Sequence, residues 1–398
     1  MRISTNQFFQ RGTDSILDQQ ALLNKTQLQL GSSKRVMTPS DDPTGSARIL
    51  DLQHGIDSAN THQRNIGAAE ASLNSEENAL STITDTMQRV RELAVQANSG
   101  IMDHIDLQAI AQEMQQHLDG LLGLANSTGT NGEYIFAGYG TNTKPFSQTN
   151  GGFSYAGDQG QRSIQIGTNR QVAIGDSGYA VFQAIPNGNG TFVTSYNGAN
   201  TGTGVIDAGQ VTNQAAWVQD TYTLSFLTPT TYEVRDSANA LVTSGAYQSG
   251  AAIAFNGIQV SVSGAPAGGD QFTIAPSTNQ DVFTSVQNLI NTLNTSATDP
   301  VSRANFISNL NRSIVDIDRA MDNFTSVSTG VGARLNSIDN QKSANADFIL
   351  ASQTALSSVQ DLDYAEAASR LNQQLLALQA AQQSFAKLQN LSLFNYIQ

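Results

Sequence analysis

Cysteine is absent from the 398-residue sequence, which excludes disulfide bonds, thiolate metal ligands and a cysteine nucleophile. Histidine is scarce, and none of the four histidines lies between residues 139 and 281. Charged residues make up only 13% of the chain, with 20 Lys and Arg against 33 Asp and Glu. The formal net charge of −13 disfavours binding to nucleic acid or to an anionic membrane surface.

Long apolar runs are also absent. The first twenty residues, MRISTNQFFQRGTDSILDQQ, contain neither an apolar core nor a small-residue cleavage site, so we expect no ordinary secretory signal. No stretch elsewhere is long enough to span a membrane. We therefore expect the protein either to stay in the cytoplasm or to leave it by a route that reads another feature.

The composition changes twice along the chain. Residues 1 to about 128 and those after 281 are rich in Leu, Ala, Gln and Asn, whereas Gly, Thr, Val, Tyr and Phe dominate between them. In the first block apolar residues recur every seven positions, which predicts a helix over residues 52–97. These residues are Leu52, Ala59, Ile66, Leu73, Leu80, Met87 and Ala94. A shorter apolar pattern follows over residues 110–125.

Two further helical patterns, over residues 307–359 and 367–388, occupy the C-terminal block. Polar residues weaken the first of them between 342 and 352. A long helix buries little against itself, so each apolar stripe needs a partner helix. We expect the N-terminal and C-terminal blocks to pack side by side.

Five segments in the middle of the chain alternate apolar and polar residues between turn residues, which predicts β-strands. They are RSIQIG, TYTLSFL, TYEVRD, IAFNGIQVSVSG and DQFTIAP. The predicted fold class is α+β: a long antiparallel helical rod or coiled coil built from both chain ends, with an inserted mainly β domain.

The stretch SDDPTGSA at residues 40–47 combines two acids, a proline and a glycine. Asp42 can cap a helix that begins at Pro43, because proline suits the first helical position. Asp361 or Asp363 stands in a similar way before the last helical pattern. We interpret the two stretches as structural joints, which would face each other if the arms pair, rather than as a carboxylate site.

Motifs for catalysis or ligand binding are weak. The segment GDSG at 175–178 lies far in sequence from every histidine and is interpreted as a turn. GAPAGGD at 264–270 lacks the lysine of a phosphate loop and is interpreted as a hairpin turn. The acids of NSEENAL at 74–80 are expected on a solvated helix face, and three arginines could pair with acids across the rod: Arg89, Arg91 and Arg334. We predict no enzyme, no cofactor and no metal site.

Longer stretches of both arms carry a family resemblance. The N-terminal arm contains SSKRVMTPSDDPTGSA and LNSEENALSTITDTMQRVRELAVQANSG, and the C-terminal arm contains TGVGARLNSIDNQ and SVQDLDYAEAASRLNQQLLALQAAQQSFAKLQNLSLFNYIQ. In this order and spacing they resemble the flagellin superfamily of axial flagellar proteins. The opening MRIST, NGEYIFAGYGTNTKPF at 131–146 and NGIQVSVSGAPAGGDQFTIAPS at 256–277 are more similar to the hook–filament junction branch than to filament flagellins.

The resemblance implies three regions. Residues 1–42 with 360–398 would form an inner terminal coiled-coil layer, residues 43–138 with 282–359 an α-helical rod, and residues 139–281 a surface β domain. Joints between the inner layer and the rod would lie at Asp41, Asp42, Pro43, Asp361 and Asp363. An assembly interface on the inner layer would involve Ile3, Phe8, Ile16, Leu17, Leu28, Leu30, Leu371, Leu375, Leu378, Phe385, Leu388, Leu391 and Phe394.

The resemblance also implies a function. The chain would be a structural adaptor of the bacterial flagellum that forms a junction ring between hook and filament and transmits torque between them. Its partners would be copies of itself in the ring, another hook-associated junction protein on the hook side, flagellin on the filament side and a cytoplasmic export chaperone on the C-terminal arm. It would be extracellular, exported by a type III route without a cleaved signal peptide.

Three alternatives stay open at this point. A filament flagellin would have the same architecture but would polymerise alone. A secreted enzyme with a hydrolytic site in the β domain is disfavoured, because residues 139–281 contain no histidine and only scattered acids. A surface adhesin, in which the β domain binds a host glycan or protein, is compatible with the sequence as a secondary role.

Overall fold

The computed structural model describes residues 5–99 and 102–390 of the chain. Its helices are α1 (Thr5–Ser32), α2 (Pro43–Ala97), α3 (His104–Ala125), α4 (Val282–Leu293), α5 (Pro300–Gln360) and α6 (Tyr364–Asn390). These residues divide into two compact units, one formed by the described parts of 1–64 and 341–398 and the other by those of 65–340. Helices α2 and α5 contribute residues to both units.

The first unit contains an antiparallel pair formed by the first and last helices, α1 and α6. This pair is the α1–α6 hairpin, although its two helices are not consecutive in the chain. At one end the rings of Phe9 and Phe385 meet edge to face, with centroids 6.0 Å apart. At the other end the amide of Arg35 donates to the carbonyl oxygen of Gln360 at 2.7 Å. The predicted pairing of the two chain ends is therefore confirmed for these helices.

The second unit contains a helical core shared by α2, α3, α4 and α5. On α2 the predicted seven-residue repeat is buried in this unit from Ile66 to Ala94, and Ala59, which belongs to the first unit, is also buried. Helix α5 runs antiparallel to α2, with Arg91 paired to Asp318 at 2.5 Å and Ser328 donating to Glu77 at 2.7 Å. The predicted helices and their pairing are confirmed, whereas the separate helix α4, capped by Asp281, was not distinguished in the sequence.

Two β-hairpins and a short helical turn pack onto this helical core. The elements are β1 (Phe146–Thr149) with β2 (Gly152–Tyr155), β3 (Ser163–Gly167) with β4 (Arg170–Ala173), a π-helical turn (Tyr179–Gln183) and β5 (Ile185–Pro186). Their buried side chains, among them Phe146, Val172 and Phe182, join those of the helices in one hydrophobic cluster.

Residues 192–276, the β module, have a hydrophobic core of their own. Its strands are β6 (Phe192–Tyr196), β7 (Val205–Ile206), β8 (Gln210–Val211), β9 (Tyr222–Thr228), β10 (Thr231–Arg235), β11 (Leu241–Ala246), β12 (Ala252–Phe255), β13 (Ile258–Ser263) and β14 (Gln271–Pro276). They form a five-stranded sheet in the order β11-β10-β9-β14-β6 and a smaller sheet in which β13 pairs with β12, β7 and β8. A further strand, β15 (Asn279–Gln280), returns to pair with β5.

The boundary predicted at residue 139 thus precedes two kinds of β structure. The hairpins up to residue 186 bury their side chains in the helical core, whereas residues 192–276 bury theirs in the separate core of the β module. The division of the chain into hydrophobic cores falls between Ile185 and Phe192.

The glycine-rich stretch 264–270 was wrongly interpreted as a hairpin turn. Strands β13 and β14 on its two sides belong to different sheets, so the stretch is a crossover. Asp270 is 1% exposed and accepts hydrogen bonds from the amides of Thr201, Gly202 and Ala267. This carboxylate, rather than a tight turn, fixes the loop, because it satisfies amides that have no strand partner.

The acids of residues 74–80 were expected on a solvated face, and this is wrong for Glu76. Its side chain is fully buried against the segment that carries Asp176. The position lies beside the apolar stripe of α2, and a segment one hundred residues later in the chain covers it. The local periodicity of the sequence does not reveal burial by a segment so distant in the chain.

Candidate assembly site

The two joints meet beside the ends of α1 and α6. The amide of Leu362 donates to the carbonyl oxygen of Ser33 at 3.1 Å, and the hydroxyls of Ser33 and Tyr364 are hydrogen-bonded. The Arg35 guanidinium donates to the carbonyl oxygen of Val359 at 2.7 Å and lies 3.4 Å from the Asp42 carboxylate. The segment before α2 is therefore tied to the segment between α5 and α6.

Asp41 fastens the loop before α2 to helix α1. Its carboxylate pairs with Lys25 at 2.7 Å and accepts from the amides of Thr38 and Met37. The Lys25 hydrogen bond, followed by that of Thr38, holds the pKa of this carboxyl far below its usual range. The carboxylate therefore stabilises the loop at neutral pH, and that contribution decreases as pH falls below the ordinary pKa of 3.8 and is gone once the folded-state carboxyl is protonated.

The other joint acids cap helices. Asp42 accepts from the amide of Gly45 at 2.8 Å, so α2 begins at Pro43 as predicted. That hydrogen bond, with a second from Thr44, lowers the pKa of Asp42. Asp363 caps α6 by accepting from the amides of Ala365 and Glu366. Asp361 instead ends α5, where its carboxylate accepts from the Ser357 hydroxyl.

We expect Asp42→Ala to loosen the first turn of α2. Alanine removes the acceptor of the Gly45 amide and the counter-charge of Arg35, while leaving the chain length unchanged. Hydrogen exchange of the Gly45 and Ser46 amides should then become faster. Asp51→Ala, the same change at an exposed position of α2, should leave these amides unchanged.

The structure separates the predicted interface residues into two sets. Five of them face into the hairpin and are half-buried: Ile16, Leu30, Leu371, Leu378 and Phe385. Three others are exposed, with 56% of Leu17, 63% of Leu28 and 38% of Leu375 accessible to solvent. Leu17 and Leu28 are eleven residues, or about three helical turns, apart, so they lie on one face of α1.

Sequence reasoning missed other exposed apolar residues of α1 and α6. Leu22, Leu376 and Tyr364 are exposed by 50%, 70% and 54%. It also missed two buried polar side chains of α1, Thr26 and Gln29, although both continue the three- and four-residue spacing of the apolar stripe. Gln29 is satisfied because its amide donates to the carbonyl oxygen of Arg35 at 2.7 Å.

The remaining predicted interface residues are not among the described side chains. Ile3, Leu391 and Phe394 lie outside the described residues, as do the side chains of Phe8 and Leu388. The described members therefore comprise a hairpin interior and an exposed face with Leu17, Leu28 and Leu375.

The described part of the chain contains neither a cluster of metal ligands nor a helix suited to span a membrane. Within residues 5–99 and 102–390, no three His, Asp or Glu side chains are grouped as ligands of a metal ion. No helix in these ranges has both the length and the apolar character to span a membrane.

Comparison with known families covers both chain ends and the β module. Residues 3–141 match the bacterial flagellin N-terminal helical region, and residues 314–397 match the bacterial flagellin C-terminal helical region. Residues 195–276, which correspond closely to the β module, match the D2-like domain of flagellar hook-associated protein 1.

Individual relatives agree with these matches. Flagellar hook-associated protein 3 of Escherichia coli K12 is 36% identical over 187 residues, which cover 46% of this chain and 58% of that protein. The chain thus spans less than two thirds of the curated relative. The crystal structure of the flagellar junction protein FlgL from Legionella pneumophila is 35% identical, with a TM-score of 0.73 over 79% of this chain and 99% of that chain. Phase 1 flagellin of Salmonella naestved is 29% identical over 42% of this chain and 29% of its own length.

Proposed function

Because the chain belongs to the flagellar hook-associated protein 3 (FlgL) family of the flagellin superfamily, we propose that it is a structural adaptor between the flagellar hook and filament. Copies of the chain would form a ring at the junction and transmit torque between the two polymers. The observation that carries the proposal is the α1–α6 hairpin, which places the two chain ends side by side and leaves leucines exposed on its surface.

The exposed leucines support assembly, because the free energy falls when a neighbouring molecule covers apolar area that was exposed to water. We propose that neighbouring copies cover Leu17, Leu28 and Leu375 in the ring. The half-buried residues from Ile16 to Phe385 would hold each hairpin together. The joint acids Asp41, Asp42, Asp361 and Asp363, with Pro43, would set the connection between hairpin and rod.

The same proposal extends to regions and partners. Residues 1–42 with 360–398 would be the inner layer, 43–138 with 282–359 the rod, and 139–281 the outer domain. A second hook-associated protein would contact the ring on the hook side, and flagellin on the filament side. A cytoplasmic chaperone would hold the C-terminal arm before export to the extracellular flagellum without a cleaved signal peptide. No enzymatic step, cofactor, nucleic acid or membrane enters this function.

Filament flagellin is the second candidate, because both helical regions match flagellin families. The two functions differ in whether the chain polymerises alone. We expect sedimentation velocity of the purified full-length chain to show no long filaments, with or without ammonium sulfate. A purified flagellin in the same salt is the control, and it should form them.

Long filaments made of this chain alone would show a self-polymerising flagellin and would contradict the adaptor function. In a second arm, preformed flagellin filaments are added to the chain. Binding confined to the filament ends, seen by electron microscopy with a labelled chain, is the result expected of an adaptor.

A further inference from the structure

A buried acid on α2 meets a loop that leads into the π-helical turn. Glu76 is fully buried, and the loop of residues 174–177, the docked loop, lies against it. Helix α5 contributes Arg334 to the same cluster. These groups take no part in the assembly function described above.

Hydrogen bonds from three sides hold the docked loop. The amide of Asp176 donates to Oε1 of Glu76 at 2.9 Å, and the Ser72 hydroxyl donates to the carbonyl oxygen of Ile174 at 2.7 Å. The Asp176 carboxylate accepts from the Gln161 side chain at 2.7 Å and pairs with Arg334. The loop is therefore tied both to α2 and to α5.

The charges of this cluster do not balance when both acids are ionised. Two carboxyl groups, of Glu76 and Asp176, face the single guanidinium of Arg334. The nearby Glu77 accepts from Ser328 through Oε1, and Arg170 of β4 donates to Ser337. One proton on Glu76 makes the cluster neutral.

One atom of the cluster supports this count. Among the described side chains, Oε2 of Glu76 is buried without a hydrogen-bond partner. A buried oxygen without a partner costs far more free energy when it carries a charge than when it is part of a neutral carboxyl. The geometry thus favours the protonated form of Glu76.

We propose that Glu76 is a proton-operated latch, which in its protonated form holds residues 174–177 against α2 and α5 and which weakens when that proton is absent. The movement is confined to the loop, because its far end is anchored. The Gly178 amide donates to the carbonyl oxygen of Phe136, and Phe182 is fully buried in the helical core.

The direction of the pH response follows from the titration of Glu76. Burial first, and then the charge of Asp176, raises the pKa of Glu76 to about 8, although the charge of Arg334 and the Asp176 amide oppose this. When the loop opens, the carboxyl returns towards its ordinary pKa of 4.5. The docked loop binds the additional proton, so docking is strongest below about pH 4.5, weakens as pH rises and becomes independent of pH above about 8.

The test is hydrogen exchange of the full-length chain between pH 5 and pH 9. After correction for the intrinsic pH dependence of exchange, protection of residues 174–177 should fall by up to about tenfold per pH unit to pH 8 and then level off. In Glu76→Gln, whose amide oxygen can still accept from Asp176, protection should be constant across this range. Glu77→Gln is the matched control and should retain the wild-type response.

Two results would overturn the latch. The first is wild-type protection that is flat between pH 5 and pH 8, and the second is a pH response that survives in Glu76→Gln. The three chains differ only at residue 76 or 77, so every other ionisable group contributes equally to all of them.

A measurement on the wild type alone covers the case in which Glu76→Gln does not fold. Urea unfolding at pH 6.5, followed with an indicator dye, should release about one proton per chain, because Glu76 ionises when it is exposed. No release, or uptake of protons, would contradict the latch.

Discussion

Replacing Phe182 with Ala should lower the free energy of unfolding of the helical core by about 3–5 kcal/mol. Phe182 is fully buried, and its ring centroid lies 5.1 Å from that of Phe136, 5.2 Å from Phe146, 5.6 Å from Phe283 and 5.8 Å from Phe324. It therefore joins the β-hairpin region to α4 and α5. The truncation loses both buried area and ring contacts and leaves a cavity that rigid helices cannot close.

The chain offers a way to observe the two cores separately. Trp217 is the single tryptophan, and its ring lies 5.7 Å from Phe192 in the β module. Urea unfolding followed by circular dichroism reports mainly the helices, whereas tryptophan fluorescence reports the β module. Phe182→Ala should shift the first transition to lower urea and leave the second in place.

Tyr139→Ala removes an aromatic ring that is 66% exposed and should change either transition by no more than about 0.5 kcal/mol. If Phe182→Ala shifted both transitions together, the helical core and the β module would unfold as one cooperative unit. The division of the hydrophobic core between Ile185 and Phe192 would then have no energetic meaning.

Exchanging Leu17 and Leu28 together for Gln should abolish incorporation of the chain into the proposed junction ring. Both leucines are exposed on one face of α1, and glutamine is a good helix former, so the isolated chain should keep its helix content. In the ring the same positions would bury two side-chain amides without hydrogen-bond partners. The free-energy cost of this exceeds the gain from covering the remaining apolar area. The measurement is the amount of labelled chain bound at the ends of flagellin filaments.

A matched variant distinguishes a specific effect on assembly from the effect of losing any exposed leucine. Leu241→Gln makes the same change at a residue of β11 that is 56% exposed, and it should leave binding at the filament ends unchanged. If the double variant of α1 bound as well as wild type, the exposed face of the hairpin would not be the assembly surface. Circular dichroism of each variant verifies that the helices are intact.

The helical part of the fold was largely predictable because its pattern is local. The seven-residue repeat from Leu52 to Ala94 follows from the turn of an α-helix, and the structure places its members between residues 59 and 94 in the interior. Asp42 before Pro43 predicted the start of α2 for a similarly local reason. The dipeptide Asn256–Gly257, inside a segment predicted as strand, forms the tight turn between β12 and β13, with positive φ at both residues.

Short strands and sheet membership were less predictable. Strands of two residues, such as Val205–Ile206, are too short for an alternating pattern to be recognised. The stretch 264–270 has the composition of a hairpin turn, but the partners of β13 and β14 lie elsewhere in the chain. A turn residue can indicate that the chain bends, whereas strand pairing depends on residues tens of positions away.

The candidate assembly site shows the same limit at the level of side chains. Sequence periodicity placed apolar residues on α1 and α6 and made no distinction between Ile16 and Leu17. The pairing of the helices half-buries Ile16 and leaves 56% of Leu17 exposed. Whether an apolar residue stabilises the hairpin or is available to a neighbour depends on where the partner helix lies.

The sequence by itself determined the helical arms, their caps, the strand-rich insert and the family, since each rests on spacing or order along the chain. Only the tertiary structure decided which leucines stay exposed, where the insert divides into two cores and that Glu76 is buried beside Asp176. The physical reason is that burial and charge proximity are set by segments distant in sequence, and the free energy of a side chain depends on its neighbours in space.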